Sequence, residues 1–159
     1  SRAAALCFRA ARGRPGRVDS GTGVPASALD LFPTLCSAAN VAVPAACDGI
    51  NLLPAICSDD ESSHRERDLF WHYPTYGVYR KGQFQMRPVS AIRSARHKLL
   101  FDYEGGTVAL YDLIEDPQEK HDLSGAQPVL AEQMRLRLFA WLNQNQSLKP
   151  QLREQIDRE

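Results

Sequence analysis

Alternation of apolar and polar positions between residues 90 and 113 predicts the centre of this chain. Ser90 to Ala95 and His97 to Tyr103 are rich in Ile, Leu, Phe and Tyr and are separated by a polar break at Ser94-Ala95-Arg96, so they read as strands. Glu104-Gly105-Gly106-Thr107 supplies glycines that take positive φ without steric cost, and Lys98–Tyr103 should therefore pair with Val108–Leu113 in a hairpin. In its second strand Val108, Leu110 and Asp112 alternate with Ala109, Tyr111 and Leu113, which puts one face on a core and the other near water. Asp68 to Tyr73, stopped by Pro74, reads as a further strand, and Tyr76 to Met86, with Tyr79, Lys81 and Phe84, reads as loop. A helical period takes over at both ends. Ser27 is an N-cap for about ten residues on which Leu29, Leu31, Phe32, Leu35 and Ala39 form an apolar stripe, with Pro33 in the first turn where a missing N–H costs little. Asn40 to Asp48 reads as loop, and Ile50 to Ile56 as a short helical turn. Gln127 to Asn145 gives the clearest helix, with Leu130, Met134, Leu138, Trp141 and Leu142 on one stripe that should cover a sheet face. Between sheet and helix, Asp116-Pro117 favours a turn whose neighbouring carboxylates can cap backbone N–H groups. The pattern as a whole predicts an α+β fold: a small antiparallel sheet of about four strands packed by a C-terminal helix and preceded by a helical segment.

Length and composition narrow the class. A chain of 159 residues suits about one domain with a modest core, and 43% hydrophobic with 24% charged residues is ordinary for a folded protein. Nineteen basic residues balance nineteen acidic ones, so the net charge gives no wholesale attraction to nucleic acid or to an anionic membrane. Arg2, Arg9, Arg12, Arg14 and Arg17 form a local basic cluster, which reads as a segment separated from its usual contacts in preference to a polyanion-binding arm, because a lone Phe8 is not the regular aromatic interleaving of a nucleic-acid groove. No run of eighteen apolar residues exists for a membrane span, and Ala3-Ala4-Ala5-Leu6-Cys7-Phe8 is too short for the core of a signal peptide. Cys7, Cys36, Cys47 and Cys57 are widely spaced and contain no C-x-x-C pair, so they read as packed thiols. Asp59-Asp60-Glu61 lacks the alternate spacing of a calcium loop and reads as part of a solvated stretch from Ser58 to Glu66.

The order of these parts resembles a known family. S-A-I-R-x-x-x-x-K-L-L from Ser90, the Gly105-Gly106 turn, and L-Y-D-L-x-x-D-P-x-E-x-x-D-L from Leu110 are similar to the C-terminal subdomain of the arylsulfatase-like sulfatases, hydrolases of alkaline-phosphatase fold. Ser27-Ala28-Leu29-Asp30-Leu31-Phe32-Pro33-Thr34-Leu35, Cys47-Asp48-Gly49-Ile50-Asn51-Leu52-Leu53-Pro54 and Phe70-Trp71-His72-Tyr73-Pro74 agree with it in order and spacing. The resemblance divides the chain into residues 1–26, an irregular remnant of a catalytic domain; residues 27–146, the subdomain itself; and residues 147–159, a polar tail. It implies an enzyme of sulfate monoesters, periplasmic, secreted or lysosomal as such enzymes commonly are. Its nucleophile is a formylglycine made from the first residue of a C/S-x-P/A-x-R motif, and a divalent cation, usually calcium, stabilises charge on the sulfuryl group.

None of that machinery is legible here. The stretches beginning at Cys7, Cys36, Cys47 and Cys57 all fail the motif. Ser1-Arg2-Ala3-Ala4 resembles the end of the family's E-G-G-x-R-x-P stretch, which follows the last catalytic residue. The expectation is therefore a C-terminal fragment, inactive alone, with neither catalytic nor metal-binding residues of its own, whose partners are an N-terminal catalytic domain and a sulfated carbohydrate. His64, His72, His97 and His121 have no short His-x-His or i,i+4 spacing that would suggest a metal site. As the resemblance implies a C-terminal contribution to the pocket beyond the sulfate, the candidates for substrate contact are His72, Tyr73, Tyr76 and Arg93, since a strand-end histidine bordered by tyrosines suits a sugar ring. The other reading is a His72 satisfied at the strand end for packing and an Arg93 that is a solvated charge or local hydrogen-bond donor. The alternative is a stand-alone module presenting Trp71, Tyr73, Tyr76 and Tyr79 to a glycan or a protein.

Overall fold

The computed structural model describes residues 25–57, 67–77, 79–80, 83–84 and 86–150. The expectations for residues 1–24, for the acidic stretch 58–66 and its His64, for Lys81, for the Tyr79 and Phe84 side chains, and for the tail beyond 150 lie outside the described residues. The chain divides after Arg67 into two compact units, each described by itself.

The first unit is held by polar contacts. A 3-10 turn, Ala28–Asp30, leads into α1 (Leu31–Ala38), and α2 (Leu53–Cys57) follows a loop. Asp30 is fully buried. Its carboxylate accepts the Ser27 N–H at 2.7 Å, the Ile50 N–H at 2.9 Å and the Arg67 guanidinium at 2.7 Å. The Thr34 hydroxyl donates to the Asp30 carbonyl at 2.6 Å and accepts the Leu52 N–H at 2.9 Å. The Asn51 amide donates to the Ser37 hydroxyl at 3.0 Å. Gly49 lies so close to the turn that a Cβ there would sit 2.0 Å from the Leu29 carbonyl oxygen, an approach only glycine allows. The expected stripe, by contrast, faces no core among the described residues of this unit: Leu29, Leu31, Phe32 and Leu35 are 54–63% exposed. The reason is that Asp30, Thr34 and Ser37, spaced along one side of the helix, bond residues 50–52 and turn the leucines outward.

The second unit is the predicted sheet and helix. Its strands are β1 (Leu69–Tyr73), β2 (Tyr79–Arg80), β3 (Gln83–Phe84), β4 (Val89–Arg93), β5 (His97–Asp102) and β6 (Thr107–Asp112), followed by α3 (Pro128–Gln144). Four strands form one antiparallel sheet in the order β1-β4-β5-β6. The segment read as loop between Tyr76 and Met86 contains the small β2–β3 hairpin, where Tyr79 pairs with Phe84; two-residue strands leave no alternation to detect. β4 ends at Arg93 and not at Ala95 because Ser94 already turns the chain, its N–H bonded to the His97 carbonyl at 2.9 Å. Gly106 takes φ +59° in the β5–β6 connection, as the turn requires.

Ile92 on β4, Leu99 on β5 and Leu110 on β6 point to one face, where Ala131, Met134, Leu138 and Leu142 of α3 cover them. The buried line on the helix thus runs through Ala131, with Leu130 and Trp141 on its flanks; Phe70 stacks on Trp141 with ring centroids 4.9 Å apart.

The acidic run after β6 serves the backbone. Asp112 accepts two bonds from Arg96, which holds its carboxyl below the usual range against the opposing effect of burial. Asp116 caps the Lys120 and His121 N–H groups at 2.7 Å each, and the His121 bond lowers its pKa most. Asp122 accepts the outward N–H of Leu110 at 2.9 Å, while the Leu110 carbonyl receives the Leu123 N–H at 2.7 Å, so the edge strand β6 is covered. Asp122→Ala leaves that edge N–H without its partner and is expected to cost about 1–3 kcal/mol of stability, read by chemical denaturation, with faster exchange of the Leu110 amide.

Candidate functional site

All four candidate residues lie in the second unit, and strand alternation divides them between two faces of the sheet. His72 sits opposite Ser90 and shares the α3 side with Phe70 and Ile92. Tyr73, Trp71 and Arg93 point to the opposite side. Tyr76, beyond the strand, donates its hydroxyl to Glu104 at 2.7 Å.

His72 belongs to a hydrogen-bonded chain. Its Nε2 is 2.7 Å from the Leu148 carbonyl, which can only accept, so that nitrogen carries the proton. Nδ1 lies 2.7 Å from the buried Ser90 hydroxyl, whose oxygen is 3.0 Å from the Tyr103 hydroxyl. With His72 neutral, the chain runs Tyr103 O–H to Ser90 oxygen and Ser90 O–H to Nδ1, and every group is satisfied. The histidine therefore fixes the segment after α3, and both ring nitrogens are engaged. Reaching a sugar through either would require giving up a bond. Ser90 and Tyr103 were not singled out in the sequence, and no local pattern could have paired them with a histidine on another strand.

The other face carries the open chemistry. Register places Arg93 between Leu69 on β1 and Lys98 on β5, and the next row holds Trp71, Ala91 and Leu100. Lys98 is neutralised by Glu119 through two contacts of 2.7 and 2.8 Å. The buried Arg93 Nε has no hydrogen-bond partner among the described residues. Trp71 is 47% exposed. A cation and two aromatic rings on one pleated face can take an anion beside an apolar ring.

The residues present do not fit the calcium and formylglycine that the resemblance implies for a whole enzyme. Among the described residues no three His, Cys, Asp or Glu side chains converge as metal ligands. The acids of the exit loop, Asp112, Asp116 and Asp122, are bonded to Arg96 and to backbone N–H groups. No helix among the described residues is long and apolar enough to cross a membrane.

A four-stranded antiparallel sheet covered by one C-terminal helix is an arrangement this chain shares with solved sulfatases. A 2-O GAG sulfatase superimposes with TM-score 0.55 at 28% identity, over 74% of this chain and 24% of that one. Ps i-CgsB in complex with k-i-k-neocarrahexaose gives 0.56 at 28% identity, over 84% of this chain and 28% of that one. The chain belongs to the N-sulphoglucosamine sulphohydrolase C-terminal family, whose model matches residues 14–147. Among curated proteins it is 34% identical over 97 residues to the Delta 4,5-hexuronate-2-O-sulfatase of Bacteroides thetaiotaomicron and 31% identical over 134 residues to human arylsulfatase A. These matches cover 60% and 70% of this chain but only 19% and 25% of the relatives.

Proposed function

We propose that this chain is the C-terminal portion of a sulfuric ester hydrolase acting on a sulfated carbohydrate, with the nucleophile and metal ligands on a preceding catalytic domain, and that alone it is inactive. The observation that carries this reading is the match of residues 14–147 to a sulphohydrolase C-terminal model by a chain that spans about a quarter or less of the curated relatives. The names of those relatives support a sulfated sugar as the substrate class. In this reading Tyr73 and Arg93, on the face away from α3, meet the part of the glycan beyond the scissile ester, with Tyr76 near the strand end; His72 joins them only by exchanging a bond. The exposed Leu29, Leu31, Phe32 and Leu35 fit contact with the catalytic domain, since a patch this apolar is characteristic of an interface.

The coding DNA tests the proposal directly. An open frame continuing upstream into E-G-G and, farther, into a C-x-P-S-R motif is expected. A promoter and start codon immediately upstream would overturn it and favour a free-standing glycan- or protein-binding module. Incubated with calcium and an aryl sulfate, the purified chain should give no turnover above its denatured control; turnover would refute the division of labour.

A further inference from the structure

The C-terminal end of α3 holds a pocket of about 280 Å³, and of its lining the sulfatase reading uses His72 alone. Its walls are carbon: Phe139 and Leu142 on α3, the ring of Tyr103, and Leu148 and Pro150 beyond the helix. Both rings are held in place. Phe101 stands edge-to-face against each of them at 4.9 Å, and the Tyr103 hydroxyl is tied to Ser90. The segment that closes the pocket is also fixed, by the Ser147 N–H on the Leu142 carbonyl at 3.0 Å and by His72 on the Leu148 carbonyl. The polar lining is His72 on β1, both of whose ring nitrogens are already bonded, and Asn143, Ser147 and Lys149 in the closing region. Lys149 makes no ion pair among the described residues, and no carboxylate is among the described residues lining the pocket.

An apolar protein cavity of about 150 Å³ already accepts benzene, so this one has room for a single ring with a substituent. Carbon walls with one cation that has no ion pair among the described residues, the Asn143 and Ser147 side chains and an imidazole already bonded at both nitrogens suit a ring bearing one anionic group. A sugar ring fits less well, because its hydroxyls would lose water to walls that offer few partners. We propose that this pocket binds a monocyclic aromatic anion, the ring against Tyr103 and Phe139 and the anionic oxygens toward Lys149. The proposal shares only His72 with the sulfatase reading and stands without it.

Benzoate titrated into the 159-residue chain, followed by NMR, should shift the Leu142, Ser147 and Leu148 amides saturably. Benzyl alcohol, the same ring without the charge, should bind about fivefold more weakly, and Lys149→Glu should weaken benzoate about tenfold while leaving benzyl alcohol unaffected. Glucuronate, a carboxylate on a sugar ring, should not saturate. Ser147→Phe should fill the pocket from its rim and abolish the shifts; if that variant does not fold, Lys149→Glu and the ligand pair decide. The proposal is overturned if benzoate leaves those amides unmoved, if Lys149→Glu binds benzoate as well as the natural chain does, or if glucuronate binds as tightly as benzoate.

Discussion

Asp30→Ala is expected to destabilise the first unit by about 3–5 kcal/mol, the largest single loss in this molecule, because it leaves a partly buried guanidinium and two backbone N–H groups without their acceptor. Arg67, whose side chain is 19% exposed, would retain a charge with nothing opposite it. The measurement is exchange at the Ile50 and Ser27 amides, which should accelerate together, since both donate to the same carboxylate. The acid side of the stability curve provides a second readout. Burial pushes the Asp30 pKa up, but the Arg67 bond and the Ile50 and Ser27 N–H groups outweigh it, so the carboxyl lies below its ordinary value. A depressed carboxylate contributes stability above the unfolded-state pKa of about 3.9 and loses it as pH falls through the lower folded value. Asp30→Ala should therefore remove that acid-linked loss along with the stability itself. A variant whose Ile50 and Ser27 amides exchange as slowly as those of the natural chain would show that the leucine face, not the carboxylate, holds this unit.

In the second unit the largest effect belongs to Leu138→Ala, expected to cost about 2–5 kcal/mol in chemical denaturation. Leu138 is fully buried in the core cluster with Ile92, Leu99 and Leu110 from the sheet and Met134 and Leu142 from its own helix. Removing three carbons there opens a void that three hydrogen-bonded strands cannot collapse to fill. Leu136, two residues away and 55% exposed, is the control: Leu136→Ala should change stability by less than about 0.5 kcal/mol. Equal effects at the two positions would mean that α3 is not seated on the sheet through this face.

These two sites also mark where sequence was informative. Leu138 was legible because a helix repeats every 3.6 residues, so the stripe announces which side is covered before any partner is known. The β5–β6 hairpin was legible for a related reason, since a four-residue connection with two glycines dictates its own register. Asp30 was not. It stood inside a stretch that matched the family and its Ser27 contact is local, but Ile50 and Arg67 are 20 and 37 residues away, and nothing nearby shows that one carboxylate will gather them as well. The leucines beside it misled for the same reason, because an apolar stripe shows a preference for burial without naming what supplies it.

The candidate site divides in the same manner. Residue type together with the family resemblance offered His72, Tyr73, Tyr76 and Arg93 as candidates for contact with a sulfated sugar. Which of them share a surface was not legible. β1 and β4 are joined through fifteen intervening residues, so their register is free in the sequence, and a slip of one position would exchange every side chain between faces. Pairing of Trp71 with Ala91 and of His72 with Ser90 resolved it, placing the histidine beneath α3 and the arginine on the open side.

What the sequence determined by itself was the set of elements apart from the β2–β3 hairpin, their order and the sulfatase kinship, because these depend on periodicity and turn chemistry that act over a few residues. Only the tertiary structure decided that Asp30 gathers Ile50 and Arg67, that His72 fastens the segment after α3, and that a ring-lined pocket opens beside it. Each of those depends on groups far apart in the chain whose meeting is fixed by strand register and helix packing.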